Sequence, residues 1–301
     1  MTDSMADNYL NESQIIRYIF AVEYCGKNFY GWQFQPQRRT IQGEIYSSIN
    51  KFLGLSVSSA SKHTIFKVAA AGRTDRGVHA RNQLIQVDFS QDLQEKLESR
   101  TKNWVRGLNH LLPHDIRILF FQKVKGVNPK FDVRRSAIKR QYKYFLLSQK
   151  IPPTINCGMV GYTHKALNLD AMCSATKYLI GTHNFTSFRD SQCQAKNPER
   201  TIYEFEVSKI NNLFIFSITA NAFLHHMVRN IVGAFVEVGL GAQSSTWIKK
   251  ILNLGDRKNA AVTFMADGLY LWRVYYPEGF ITPANVQISE NLSLPDDWLP
   301  R

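Results

Sequence analysis

The segment AAAGRTDRGVHA, residues 69–80, carries residue types that could perform chemistry. After three alanines, a glycine-flanked turn places Asp75 between Arg73 and Arg76. An aspartate in such a turn commonly hydrogen-bonds its own backbone. Two neighbouring guanidinium groups nevertheless favour the ionised carboxylate at neutral pH, and an ionised carboxylate at a rigid strand end can act as a nucleophile or a base. Both interpretations, a structural cap and a catalytic group, follow from the residues.

A second segment, RRSAIKRQYKY at residues 134–144, is basic and aromatic. In an extended strand Arg140, Tyr142 and Tyr144 share one face, because successive side chains point to opposite sides. Such a strand fits contact with phosphates combined with base stacking. An edge strand that its lysines and arginines protect from aggregation is an equal alternative.

The third segment, NAFLHHMVRNIVG at residues 221–233, is apolar apart from a few polar positions. A buried Arg229 would need a carboxylate partner, and Asp75 is one candidate. Alternatively Arg229 faces solvent and pairs with Glu237 or with nothing. On a helix the adjacent His225 and His226 diverge by about 100° and cannot share one metal ion, so we interpret them as polar helix positions, with metal ligation as the less favoured alternative.

The elements that must hold these residues follow from periodicity and turn signals. In the first half, Thr40 caps a helix that Gly54 ends, and a longer helix is predicted from residue 93 to before Pro113. Apolar and β-branched runs predict strands at 15–24, 64–71, 84–89, 116–124 and 136–147. Residues 55–63 read as a loop. This order resembles β-α-β-β-α-β with one further strand, and it is typical of a split arrangement with helices on one face of a largely antiparallel sheet.

The second half repeats that element order. Helices are predicted at 169–180, 223–238 and 245–254, and strands at 201–209, 213–219 and 269–276. We therefore expect an α+β fold with an N-terminal tail, two halves and a C-terminal tail, at residues 1–13, 14–150, 151–280 and 281–301.

Composition narrows the function classes. The chain has 301 residues, with 37 Lys and Arg against 24 Asp and Glu, which gives a net charge of +13. Such a charge attracts polyanions, among them nucleic acids and anionic membranes, although a solvated basic face is the simpler explanation. The most apolar stretch, 223–240, is interrupted by charged residues, so no membrane span is expected. The first 13 residues lack a secretory signal pattern, and we expect a cytoplasmic protein.

Cofactor and metal motifs are absent from the sequence. The four cysteines form no C-x-x-C pair, and neither G-x-G-x-x-G, a Walker loop nor H-E-x-x-H occurs. We expect no nucleotide, flavin or other small-molecule cofactor, no catalytic metal and no disulfide framework. A metal-dependent nuclease is disfavoured because no second carboxylate lies near Asp75 in the sequence.

The motifs together resemble the tRNA pseudouridine synthase A (TruA) family. The resemblance rests on G-R-T-D-x-G-V-H, on the tyrosine of the basic strand and on M-V-R-N-x-V-G. Weaker segments agree in the expected order over residues 15–276: TIQG at 40–43, HNFTSFR at 183–189 and DGLYL at 267–271. Arg76 departs from this pattern, since bacterial relatives usually carry alanine there, and Asn184 stands where aspartate is common.

The resemblance implies two ferredoxin-like (RRM-like) halves that share one extended, mostly antiparallel sheet, with the active-site cleft between them. It implies that Asp75 is the essential aspartate, that Tyr142 stacks on the target base and removes the C5 proton, and that Arg229 pairs with Asp75. Substrate-binding roles are implied for Arg73, which helps to hold the target nucleotide out of the stack, and for Leu269, an apolar wall beneath the base. We add Arg76 and Arg140 as further candidates for RNA contact.

The implied activity is isomerisation of uridine to pseudouridine in tRNA, at positions 38 to 40 of the anticodon stem-loop, by a homodimer. Two alternatives stay open at this point: a pseudouridine synthase with another RNA target, and a noncatalytic RNA-binding protein on the same scaffold.

Overall fold

The computed structural model describes residues 15–55, 65–100, 103–124 and 131–278. Ten strands, β1 to β10 in chain order, span Ile15–Tyr24, Phe66–Ala70, His79–Ser90, Ile116–Lys123, Lys139–Ser148, Gly161–Thr163, Gly181–Asn184, Glu199–Ile210, Leu213–Ala220 and Leu269–Tyr275. Six α-helices, α1 to α6, span Ile41–Leu53, Gln94–Ser99, Trp104–Leu111, Leu169–Thr176, Met227–Gly239 and Trp247–Leu254. None of these helices combines the length and the apolar character needed to cross a membrane.

All ten strands belong to one sheet. Eight of them follow the order β4-β1-β3-β10-β5-β9-β8-β7, while β2 pairs with β3 and β6 pairs with β5. Only the β10–β3 and β5–β6 pairs are parallel. The predicted α+β fold with one mostly antiparallel sheet is therefore confirmed.

Helix α1 shows how closely local signals set its ends. The Thr40 hydroxyl accepts a hydrogen bond from the Gly43 amide at 3.3 Å, and Gly54 adopts a left-handed conformation at φ +61°. The apolar side chains at four-residue intervals, Ile41, Ile45 and Ile49, are each only 1% exposed. They pack into the same core as the buried side of β1.

The structure differs from the sequence-based elements at several places. The single helix predicted from residue 93 consists of two helices, α2 and α3, with Arg100 capping the first and Asn103 preceding the second. The short strands β6 and β7 were not predicted, because three or four residues show no measurable alternation. The N-terminal tail, the loop after residue 55 and the chain after 278 lie outside the described residues.

Strand β10 brings the chemical segments together. It lies between β3 and β5, with Tyr270 opposite His79 and Leu271 opposite Tyr142. The turn that carries Asp75 connects β2 to β3. A strand near the end of the chain therefore joins the Asp75 segment to the basic strand β5.

Candidate active site

The Asp75 turn is held rigidly from both sides. The Trp32 amide donates to the Thr74 carbonyl at 2.9 Å, and the hydroxyls of Tyr24 and Thr74 lie 2.7 Å apart. Gly31 faces the turn so closely that a Cβ on it would lie 2.8 Å from the Thr74 oxygen. The turn therefore presents the Asp75 side chain, which is 29% exposed, in a defined position.

Two histidines, not an arginine, contact the Asp75 carboxylate. His225 Nε2 lies 3.3 Å from Oδ1 and His226 Nε2 lies 3.5 Å from Oδ2. Their other ring nitrogens face Asp190, at 3.4 Å from His225 and 2.7 Å from His226. The two imidazoles stack with centroids 3.9 Å apart. The carboxylate thus contacts side chains. Among the described residues it accepts no hydrogen bond from a backbone amide, so the structural cap is not observed.

The interpretation of His225 and His226 as helix positions was wrong. Helix α5 begins at Met227, and His226 adopts a left-handed conformation at φ +60°. This turn directs both rings towards Asp75, so the divergence expected on a helix does not apply. A histidine pair directly before an apolar helix was the available signal, but the sequence does not reveal where the helix starts.

These contacts shift the protonation equilibria of the cluster. The hydrogen bond to Asp75 raises the pKa of His225, whereas burial lowers the pKa of His226. Burial alone would raise the pKa of Asp190, but hydrogen bonds from the Gln192 amide and from His226 outweigh it, and the pKa is lowered. At neutral pH the cluster therefore favours a charged Asp190.

Arg229 does not form the expected close pair with Asp75 in this structure. Its Nε donates to the Phe264 carbonyl at 2.8 Å, and no described carboxylate, including Glu237, lies within 4.0 Å of its guanidinium. Burial lowers the pKa of Arg229, partly offset by the charge of Asp75. Arg229 thus acts on Asp75 through a longer-range field, and its catalytic role stays a prediction.

Tyr142 occupies the buried face of β5 beside the Asp75 segment. Its ring meets Phe223 edge-on with centroids 4.9 Å apart, and only 8% of the residue is exposed. A Cβ on Gly72 would lie 3.9 Å from the Tyr142 hydroxyl. Burial raises the pKa of Tyr142 and the nearby charge of Asp75 adds to the effect, so the phenol is protonated at neutral pH.

Arg140 bonds to the protein's own backbone. Its guanidinium donates to the carbonyls of Ala71 at 3.0 Å, of Asn221 at 3.0 Å and of Arg134 at 2.6 Å. It thereby ties β5 to the end of β2 and to the segment before α5. This geometry gives Arg140 a structural task beside the predicted contact with RNA.

One cleft of about 1110 Å³ unites most of the predicted residues. It is lined by Asp75, Tyr142, Arg73, Arg76, Arg140 and Leu269, and also by His225 and His226. Arg229 is not among the lining residues. Small-molecule pockets commonly measure about 300–1,000 Å³, so the cleft has room for more than a single nucleobase.

The aromatic loop before α1 mainly anchors the cleft wall. Phe29 and Trp32 are 1% and 2% exposed and belong to the core. Tyr30, by contrast, contacts two guanidinium groups, with those of Arg38 and Arg76 each 4.5 Å from its ring centroid. Arg76 is therefore held at the rim of the cleft, on the same turn as Asp75.

One group in the described part of the chain could hold a metal ion. One ligand atom from each of Asp75, His225 and His226 can be chosen so that all three lie within 4.8 Å of one another. No phosphate-binding loop accompanies it, and the sequence provides no cofactor motif.

Comparison with known proteins decides the family. A family model described as tRNA pseudouridine synthase matches residues 175–277. The tRNA pseudouridine synthase A of Methylobacillus flagellatus is 40% identical over 261 residues, which cover 87% of this chain and 93% of that protein. The chain belongs to the tRNA pseudouridine synthase A family. The relative of the same name from Nitrosomonas eutropha is 40% identical over 278 residues, or 92% of this chain and 94% of that protein. Membership confirms the predicted resemblance over 87% to 92% of the chain.

Proposed function

We propose that this chain isomerises uridine to pseudouridine in tRNA. The observation that carries the proposal is the Asp75 carboxylate in a basic cleft of a chain 40% identical to a tRNA pseudouridine synthase A. The reaction breaks the bond between C1′ and N1, turns the uracil and joins C1′ to C5. Atoms and oxidation states are conserved, so the chemistry itself calls for no redox or energy cofactor.

The target base must leave the helical stack before its glycosidic bond can be reached. Arg73 and Arg76 are exposed at the rim of the cleft, where guanidinium groups can contact the RNA backbone and occupy the gap in the stack. Leu269 and Tyr142 line the interior of the same cleft. We assign these two side chains to the faces of the extruded uracil, because apolar and aromatic surfaces hold a base by stacking.

Asp75 is the proposed catalytic group. Its carboxylate can attack C6 of the uracil, attack C1′, or remove the C2′ proton to give a glycal, and the three routes stay open. The partly buried Arg229 places a positive charge near this carboxylate. The Tyr142 phenol is protonated at neutral pH, so we assign it first to stacking on the base. It can accept the C5 proton only after it has lost its own proton to another group.

The finer assignments extend the family resemblance. We propose positions 38 to 40 of the anticodon stem-loop as targets, a homodimer as the active form, and the cytoplasm as the location. The net charge of +13 supports a long RNA contact of this kind. Mapping of pseudouridine in tRNA from cells with and without the gene tests the positions, and sedimentation equilibrium tests the dimer. Modification elsewhere, or a monomer at working concentration, would contradict the respective assignment.

Tritium release from tRNA that carries 5-tritiated uridine tests the reaction. We expect release by the wild type, and loss of release with retained tRNA binding for Asp75→Asn, which removes the charge at nearly constant shape. Asp170→Asn is the matched control, because it makes the same carboxylate-to-carboxamide change at an exposed residue of α4 outside the cleft. This variant should release tritium normally. Binding without release by the wild type would instead establish the noncatalytic alternative.

A further inference from the structure

The cluster of Asp75, His225, His226 and Asp190 has the form of a metal site. We propose that Asp75, His225 and His226 bind a divalent transition-metal ion such as Zn²⁺, with Asp190 orienting the two rings. We further propose that the bound ion withholds the Asp75 carboxylate from uridine. This second part rests on the proposed function, whereas the binding itself does not.

The ligand spacing suits a small tetrahedral ion. Zinc–ligand bonds of about 2.0–2.1 Å place tetrahedral ligand atoms about 3.3–3.4 Å apart. His225 Nε2 lies 3.3 Å from Asp75 Oδ1, and His226 Nε2 lies 3.5 Å from the other oxygen, Oδ2. One ligand atom from each of the three residues can be chosen so that all lie within 4.8 Å of one another, and rotation of the side chains would have to shorten the longer separations to the tetrahedral spacing.

Asp190 supplies the outer carboxylate that metal-binding histidines usually have. Its two oxygens lie 3.4 Å and 2.7 Å from the Nδ1 atoms of His225 and His226. A ring that donates its Nδ1–H to a carboxylate exposes the Nε2 lone pair to the other side. Here both Nε2 atoms face Asp75, and lone pairs opposite a carboxylate repel unless a cation lies between them. A proton or a metal ion can be that cation.

The site is accessible and has room for one further ligand. The side chains of Asp75, His225 and His226 are 29%, 36% and 21% exposed, and all three line the cleft. Three protein ligands leave the fourth tetrahedral position open to water. Imidazole nitrogen favours zinc, cobalt or nickel over magnesium. The positive charge of Arg229 nearby opposes any cation, so we expect reversible binding that is weaker than at structural zinc sites.

Cobalt replaces zinc as a visible probe. We expect untagged full-length protein to develop d–d absorption bands that saturate at one Co²⁺ per chain and disappear on addition of Zn²⁺. His226→Ala should abolish the bands, and Asp190→Asn should weaken affinity about 10- to 100-fold, as loss of an outer partner does. His164→Ala, which removes an exposed histidine outside the cluster, should leave the titration unchanged.

Several results would overturn the ligand assignment. Saturable bands that His226→Ala leaves intact, or that His164→Ala removes, would place the ion elsewhere. A thiolate-to-cobalt charge-transfer band would show a cysteine ligand instead, and Cys193, which lines the same cleft, is the first candidate. Absence of saturable binding would refute the site altogether.

A separate assay addresses inhibition. Zn²⁺ should suppress tritium release in parallel with its binding, a chelator should restore it, and Mg²⁺ should not replace Zn²⁺. Stoichiometric binding with undiminished release would refute the inhibitory part alone. Enzyme that never releases tritium, even when free of metal, would refute the proposed function, while the cobalt titration would still decide the site.

Discussion

His79 should make the folded state sensitive to mild acid. The side chain is fully buried; its Nδ1 accepts a hydrogen bond from the Gly26 amide at 3.1 Å, and its Nε2 donates to the Asp267 carbonyl at 3.0 Å. The ring also stacks on Tyr270 with centroids 4.4 Å apart. Burial lowers the pKa of His79 from 6.5 to about 4, so the neutral ring is the native form.

The direction and size of the effect follow from proton linkage. Between pH 6.5 and 4 the unfolded chain binds a proton at His79 that the folded chain does not, so the free energy of unfolding falls as the pH falls. For a shift from 6.5 to about 4, the loss between pH 7.5 and 5 is about 2 kcal/mol, and the complete loss at lower pH is about 3 kcal/mol.

Urea unfolding at a series of pH values measures this contribution. His79→Gln keeps one donor and one acceptor but has no proton to bind, so it should be less stable than wild type at pH 7.5. Because all other histidines are present in both proteins, the difference in stability should narrow by about 2 kcal/mol between pH 7.5 and 5. The exposed His164→Gln should keep the wild-type pH dependence. A constant gap between wild type and His79→Gln would refute the reasoning.

Three further predictions concern the helix ends, the packing and the RNA contact. Thr40→Ala removes the hydroxyl that caps α1 and should lower the free energy of unfolding by about 1 kcal/mol in urea; an unchanged value would mean that another group satisfies the amide. Gly233→Ala would bring a Cβ to 2.2 Å from the Val262 carbonyl oxygen and should reduce the melting temperature, whereas unchanged melting would show that the 262 segment yields freely. In filter-binding titrations with tRNA, Arg73→Ala should reduce the slope of log affinity against log salt by about 0.7–0.9, while Arg140→Ala, which loses backbone bonds, should mainly reduce stability. Equal slopes for Arg73→Ala and wild type would contradict the phosphate contact.

Local signals in the sequence predict the regular elements well and the site only in part. The cap and stop residues of α1 act over a few residues, and so its ends can be predicted. The strand partners of β10 depend on residues far away in the chain, and periodicity contains no information about them. Tyr142 was correctly placed on one face with Tyr144, because alternation along a strand is itself local.

The cluster around Asp75 shows what periodicity misses. Its members come from three separate segments, and the left-handed residue His226 decides where two of the rings point. A histidine gives no sequence signal for that conformation, unlike a glycine. Asp190 was not predicted at all, because only the folded chain brings its carboxylate to the rings.

The central place of β10 has a consequence for synthesis on the ribosome. His79 meets its parallel partner Tyr270 only after almost the whole described chain has been made. During translation, the Asp75 turn and the basic segment 134–144 are made before β10, which is the strand that joins β3 to β5. A nascent chain therefore exposes unpaired strand edges beside a strongly basic surface for most of its synthesis. The cleft can therefore take its final form only after β10 has been synthesised and has paired with β3 and β5.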